Sequence, residues 1–162
     1  MGCGCEKGEV SPSGSCVVDI VEEIVAAQND VVENCCATSC EQSINDLLGE
    51  TEPSSGLDTV PIILYCKENC KPFQGFGALP DSGTPSGLDC LVSSFIFRAK
   101  KVLANDCAVL ELVANPEDGC GFDSPCEQNT ANLEATGICI TVDLKCFCHI
   151  TCLPAVSLFN NN

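Results

Sequence analysis

The chain has 162 residues, 16 of them cysteine, no tryptophan and a formal net charge of −16. This length fits one domain with a core of ordinary size. Because 23 acidic residues outweigh seven basic ones, the composition argues against binding to nucleic acid and to anionic membrane surfaces. We expect no membrane insertion, since every apolar run is far shorter than the ~18 residues of a spanning helix.

The N-terminal part of the chain predicts a tail followed by one helix. Residues 1–15 are rich in Gly and Ser and contain Cys3 and Cys5, which is typical of a flexible tail. Apolar residues recur at helical spacing over residues 16–34, so this segment predicts an amphipathic helix. Two roles are open for it: packing on the domain that follows, or pairing with another subunit.

Residues 35–57 are predicted to form a cysteine-rich loop. The segment begins with Cys35, Cys36 and Cys40 and continues with polar, Gly, Pro and Ser residues. We expect no regular structure there beyond a short turn near residues 44–48.

Residues 58–159 are predicted to form an antiparallel β domain, with a short tail at residues 160–162. Extended segments are expected at residues 59–66, 73–77, 91–102 and 107–113. The last two alternate apolar and polar residues on either side of Ala104-Asn105-Asp106, so they predict a β hairpin. Pro, Gly, Ser and Asn mark the intervening loops, among them residues 79–89 and 115–132.

The most regular stretch spans residues 138–153. Alternate residues from Ile138 to Cys152 are apolar or cysteine, which predicts an extended segment with one buried face. At about 3.3 Å per residue the run would measure ~50 Å, so we expect a bend or bulge near Cys146 and Cys148. If the alternation continues past this bend, Cys146, Cys148 and Cys152 face the core.

These elements predict an α+β fold. Its main part is an antiparallel β sandwich or barrel-like domain, preceded by one N-terminal amphipathic helix.

The sequence offers no set of catalytic residues, and we expect no enzyme activity. His149 is the only histidine, and the alternation places it on the face opposite to Cys146 and Cys148, away from a thiol nucleophile. There is no Cys-x-x-Cys motif, no haem-attachment motif and no phosphate-binding loop. We therefore expect no cofactor.

A thiol-based metal site is the main alternative. Cys146, Cys148, His149 and Cys152 are ligand types that zinc prefers. Structural zinc sites, however, usually pair closely spaced cysteines around a turn, whereas these residues follow one another along predicted β structure. A zinc-binding or redox-buffer domain stays as the alternative function, with no metal ligand assigned.

Cross-linking accounts better for so many thiols. Each disulfide within a chain contributes about 2–4 kcal/mol, and a domain of this length does not need eight of them. The remaining cysteines are more useful for disulfides between subunits. The competing interpretation is that many are buried free cysteines that act as small apolar residues.

The stretch from Cys139 to Leu153 closely resembles a motif of the spore coat protein CotY/CotZ family of endospore-forming bacilli, which includes the exosporium protein ExsY. The central part of that stretch reads Cys146-Phe147-Cys148-His149-Ile150-Thr151-Cys152. Further segments resemble the family in its order: Val60–Tyr65, Phe73–Gly77, Phe95–Arg98 and Cys107–Leu110, with the Cys-Cys-x-x-x-Cys after the predicted helix.

The resemblance implies a structural protein of the outer spore surface, in the coat, crust or exosporium. Such proteins are made in the mother-cell cytoplasm without a signal peptide, self-assemble into ordered sheets and become disulfide-bonded. This would reconcile a cysteine content typical of oxidising compartments with an N-terminus that lacks the features of a secretion signal. We therefore expect the partners to be other copies of the chain and other spore coat or crust proteins.

We expect the thiols to form two groups, because mobile segments reach a neighbour more easily than a buried strand face does. The candidate inter-subunit disulfides are those of Cys3, Cys5, Cys35, Cys36 and Cys40. The candidate structural or family-motif cysteines are Cys107, Cys139, Cys146, Cys148 and Cys152.

Overall fold

The computed structural model describes residues 16–31, 36–49, 56–80, 83–115, 117–118 and 121–159. The chain divides into two units, Met1–Cys36 and Ala37–Asn162. In the first unit the predicted N-terminal helix is present as α1, Cys16–Val31. The apolar side chains of α1 are exposed to solvent, for example Val17 at 73% and Ile20 at 55%. Residues 32–34, the end of the predicted helix, lie outside the described part.

The second unit is an antiparallel β domain. Its strands are β1 (Ile62–Cys66), β2 (Gly75–Pro80), β3 (Leu88–Ser94), β4 (Ile96–Val102), β5 (Cys107–Ala114), β6 (Glu134–Asp143) and β7 (Phe147–Cys152). Five of them form one sheet in the order β6-β5-β4-β1-β7, and β2 and β3 form a separate hairpin. The predicted α+β, mainly antiparallel and sandwich-like fold is confirmed.

A second helix, α2 (Cys40–Leu48), occupies part of the segment that we predicted as a loop. Ser39 caps its start by accepting a hydrogen bond from the backbone N–H of Gln42 at 3.0 Å, and Gly49 ends it in the left-handed conformation. A nine-residue helix is marginal in isolation. Here the buried hydroxyl of Ser43 donates to the carbonyl of Leu153 at 2.8 Å, so tertiary contacts hold the helix in place.

The predicted hairpin is confirmed as β4 and β5, where Phe97 lies opposite Leu112 and Arg98 opposite Glu111. The predicted strand at residues 91–102, however, is two strands in different sheets, separated at Phe95. Where a strand breaks in the interior, the backbone groups that leave the sheet need other hydrogen-bond partners. The side chains of Gln128 and Ser94 supply them for the N–H groups of Phe95 and Ile96.

The β2–β3 hairpin packs across the inner face of the large sheet, over Phe97, Leu110 and Leu112, which are fully buried. Two glycines on β2 permit the close approach. A Cβ atom at Gly77 would overlap the side chain of Ile138, and one at Gly75 would lie 2.8 Å from a ring carbon of Phe97.

The regular stretch at residues 138–153 bends, as predicted. A 3₁₀ turn at Leu144–Cys146 separates β6 from β7. These strands are the two edges of the five-stranded sheet, and a three-residue connection joins them. The sheet must therefore curl until its edges approach each other at this end.

The alternation holds in β6 but not in β7. Ile138 is buried, whereas Ile150 is 48% exposed and Phe147 packs against the core instead. The prediction that Cys146 and Cys148 face the core is wrong, because the turn and a register shift in β7 change the phase of the side chains. Both cysteines are exposed.

Candidate cross-linking site

A disulfide joins Cys40, the first residue of α2, to Cys152, the last residue of β7. The two Cα atoms are 4.8 Å apart and the residues are 112 positions apart in the sequence. Closing a loop of this length restricts the unfolded chain and contributes about 4–5 kcal/mol to stability on the chain-entropy model. This bond fastens the short helix to an edge strand of the sheet.

The disulfide corrects the expectation for Cys40. Its position after the N-terminal helix predicts Cys40 to be one of the inter-subunit cysteines. Its sulfur is instead bonded to Cys152 within the same chain. The expectation was wrong because the segment after Cys36 is a helix docked on the sheet, not an open loop.

The other candidate cysteines within the described residues are free thiols. Cys36, Cys139 and Cys146 are exposed. Cys107 is partly buried, and its thiol lies 3.8 Å from the carbonyl oxygen of Asn105. The remaining candidates, Cys3, Cys5 and Cys35, lie outside the described residues.

Three cysteines come together at the end of β1, and two of them, Cys66 and Cys70, are not among the candidates predicted from the sequence. Cys66 ends β1, and the backbone N–H of Cys70 donates to the Cys66 carbonyl at 2.9 Å, which closes a tight turn. The Cys148 thiol donates to that same carbonyl at 3.6 Å, so Cys70 and Cys148 are held beside each other. One available signal was that Cys66 and Cys70 repeat the Cys-x-x-x-Cys spacing of Cys36 and Cys40.

The four zinc-type ligands of the alternative hypothesis do not come together. Cys152 is in the disulfide, and the ring of His149 stacks on Tyr65 with centroids 4.2 Å apart. Within the described residues, no group of three or more His, Cys, Asp or Glu side chains is arranged to hold a metal ion.

A cleft of about 630 Å³ lies where the edges of the sheet meet. Phe73, Val142 and Phe147 form its apolar surface, and Cys66 and Cys146 also line it. Lys67 and Lys145 are at the same cleft, and the Lys67 N–H donates to the Cys146 carbonyl at 2.7 Å. Two thiols are thus accessible beside an apolar depression.

The described helices include none with the length and apolar character needed to cross a bilayer. An antiparallel β domain with a long-range disulfide and several exposed free thiols defines the class: a cysteine-rich, disulfide-bonded β protein.

Comparison with known proteins identifies the family. The sequence model of the family described as Spore coat protein Z matches residues 1–155. The chain is also 35% identical over 150 residues to Spore coat protein Z of Bacillus subtilis (strain 168), an alignment that covers 87% of this chain and 90% of that protein. No solved structure matches the chain. The chain belongs to the spore coat protein Z family, which confirms the resemblance and places the protein at the spore surface.

Proposed function

We propose that the protein is a non-catalytic building block of the outer spore surface. It self-assembles into an ordered layer, and disulfides between subunits then cross-link that layer. The observation that carries the proposal is the number of free thiols at the surface of a protein of this family. The exposed free cysteines among the described residues are Cys36, Cys70, Cys126, Cys139, Cys146 and Cys148.

Assembly precedes oxidation in this proposal, because apolar surface and strand edges associate without covalent bonds. The exposed side chains of Val17, Ile20 and Ile24 give α1 an apolar surface, and single-chain proteins rarely leave such surfaces uncovered. In the five-stranded sheet, β6 and β7 are edge strands, which are templates for pairing with another chain.

The bridging thiols are those nearest the N-terminus: Cys3, Cys5, Cys35 and Cys36. Cys36 is exposed and free, and the other three belong to the same part of the sequence. Cys40 is left out because its sulfur is bonded within the chain. The layer would form from reduced protein in the mother cell, oxidise at the spore surface, and bind other coat or crust proteins as well as further copies of itself.

The assembly step is tested by size-exclusion chromatography in strong reductant. We expect the wild-type chain to elute as large oligomers, because no disulfide is needed to form them. A compact monomer under these conditions would contradict the proposal. A stoichiometric zinc content in the same sample would favour the metal-binding alternative instead.

The cross-linking step is tested on non-reducing gels after boiling in detergent. A variant with Ser at Cys3, Cys5, Cys35 and Cys36 should still assemble but should run as a monomer. The matched control replaces three other cysteines, Cys126, Cys139 and Cys146, that are exposed in the described structure, and it should keep the heat-resistant multimers. The assignment fails if the N-terminal variant keeps them too.

A further inference from the structure

The position of Cys148 in the sheet is unusual. Tyr65 pairs with His149 and the next residue, Cys66, pairs with Phe147, so Cys148 lies opposite no residue of β1. A bulge of this kind places one extra residue in a strand and redirects its side chain. Here it brings the thiol of Cys148 to 3.6 Å from the Cys66 carbonyl, which also accepts the backbone N–H of Cys70.

The turn that carries Cys70 holds this cysteine in a conformation that side chains rarely adopt. Cys70 has φ +54°, the left-handed region that favours glycine. Hydrogen bonds on both sides keep the turn in place: Cys70 N–H to the Cys66 carbonyl, and Phe73 N–H to the Leu64 carbonyl at 2.7 Å. A strained cysteine and a bulged cysteine thus lie beside the same backbone carbonyl, that of Cys66, and strained residues cluster at functional sites.

We propose that Cys70 and Cys148 are a redox-active pair, which a small disulfide compound converts into a further disulfide within the chain. The Cys148 thiol and the Cys70 N–H share the Cys66 carbonyl as hydrogen-bond acceptor, and a disulfide requires the two sulfurs to approach to about 2 Å. The turn is at the surface and can supply that movement. This inference concerns the single folded chain and does not depend on the assembly proposed above.

The reaction is a thiol–disulfide exchange. The Cys70 thiolate attacks one sulfur of the donor disulfide, forms a mixed disulfide and releases one donor thiolate, which takes up a proton. Cys148 then loses its proton to water, attacks the Cys70 sulfur and releases the second donor thiolate, which is protonated in turn. The two protein thiols lose two electrons and two protons, and the donor gains them.

The environment of Cys148 agrees with this order of steps. Its pKa is raised, first by partial shielding of the sulfur from water and then by the hydrogen bond and charge of Cys70, with a smaller contribution from Cys66. A raised pKa favours the protonated form of Cys148, which suits it to the second step of the exchange. Cys66, Lys67 and Glu68, at the start of the turn, line the cleft, so a small donor bound there would lie beside the turn.

The bond would have a structural consequence at the edge of the sheet. It would tie the turn after β1 to edge strand β7, next to the point where β6 crosses to β7. It would also remove two exposed thiols from the set available for bonds between subunits.

The experiment oxidises reduced full-length protein with oxidised glutathione, alkylates the remaining thiols and maps disulfides by mass spectrometry. We expect a peptide pair joined through Cys70 and Cys148. A mixture of isotope-labelled and unlabelled protein identifies the chains: the Cys70–Cys148 pair is expected only within one isotope, whatever bonds other cysteines form. Cys70–Cys148 pairs of mixed isotopes would overturn the proposal, since they report a bond between chains.

Three single variants test whether the new disulfide depends on Cys70 and Cys148 and not on another exposed cysteine. C70S should lose the bond and gain no stable glutathione adduct at Cys148, whereas C148S should lose the bond and keep glutathione on Cys70. The control C139S, an exposed thiol on β6, should form the pair at the wild-type level. The proposal is overturned if the C148S protein carries no glutathione on Cys70, or if wild-type protein yields Cys70 and Cys148 only as separately alkylated thiols.

Discussion

Gln128 donates a hydrogen bond from its Nε2 to Ser94 Oγ at 2.8 Å, and both residues are buried. The Ser94 hydroxyl in turn donates to the Val113 carbonyl at 2.6 Å, and Gln128 Oε1 accepts from the Phe95 N–H at 2.9 Å. This network satisfies the backbone at the point where the chain leaves β3 and enters β4. It explains how one run of alternating residues becomes two strands.

Replacing Gln128 with Leu should lower the free energy of unfolding by about 1–3 kcal/mol, because the buried Phe95 N–H then has no partner. Urea unfolding followed by circular dichroism in reductant measures this change. The matched control is Asn132→Leu, the same kind of replacement at an exposed position, which should change stability by less than about 0.5 kcal/mol. Equal stability of the Gln128 variant and the wild type would contradict the role of the network.

Replacing Gly77 with Ala should destabilise the domain by about 1–3 kcal/mol, because the added methyl overlaps Ile138. Unfolding by urea again measures the loss. The test of the cause is a double-mutant cycle with Ile138→Ala, which removes the atoms that the methyl meets. In that background Gly77→Ala should cost much less; an unchanged cost would show that the overlap is not the reason.

Replacing Cys40 with Ser should lower the stability of oxidised protein by about 4–5 kcal/mol, because the unfolded chain regains the entropy of a loop of 112 residues. In reductant the gap between variant and wild type should shrink to a small fraction of that value. Cys36→Ser, at a free and exposed thiol nearby in the sequence, is the control and should be neutral in both conditions. A gap that is as large in reductant as without it would contradict the contribution of the bond.

The sequence pattern predicted those elements whose structure depends mainly on residues close together in the chain. The period-2 alternation around Phe97 and Leu112 predicted the β4–β5 hairpin, since such a run has a single way to bury its apolar face. It also predicted β6 and a bend after it. Helix α2 was missed because nine residues carry too little local signal, and its stability comes from Ser43 and Cys40, which contact the far end of the chain.

For the candidate cross-linking site, too, the sequence determined one part and the tertiary structure decided the other. The sequence by itself determined that thiols are numerous, that the surface is acidic and that the C-terminal stretch has a family motif. Only the tertiary structure decided which thiols meet, because disulfide geometry depends on Cα atoms a few ångströms apart. Cys40 and Cys152 are neighbours across 112 positions, and one bulged residue, Cys148, turns from the core towards Cys70. The alternation of apolar and polar residues predicts neither the disulfide nor the bulge, since both arise where distant parts of the chain are brought together.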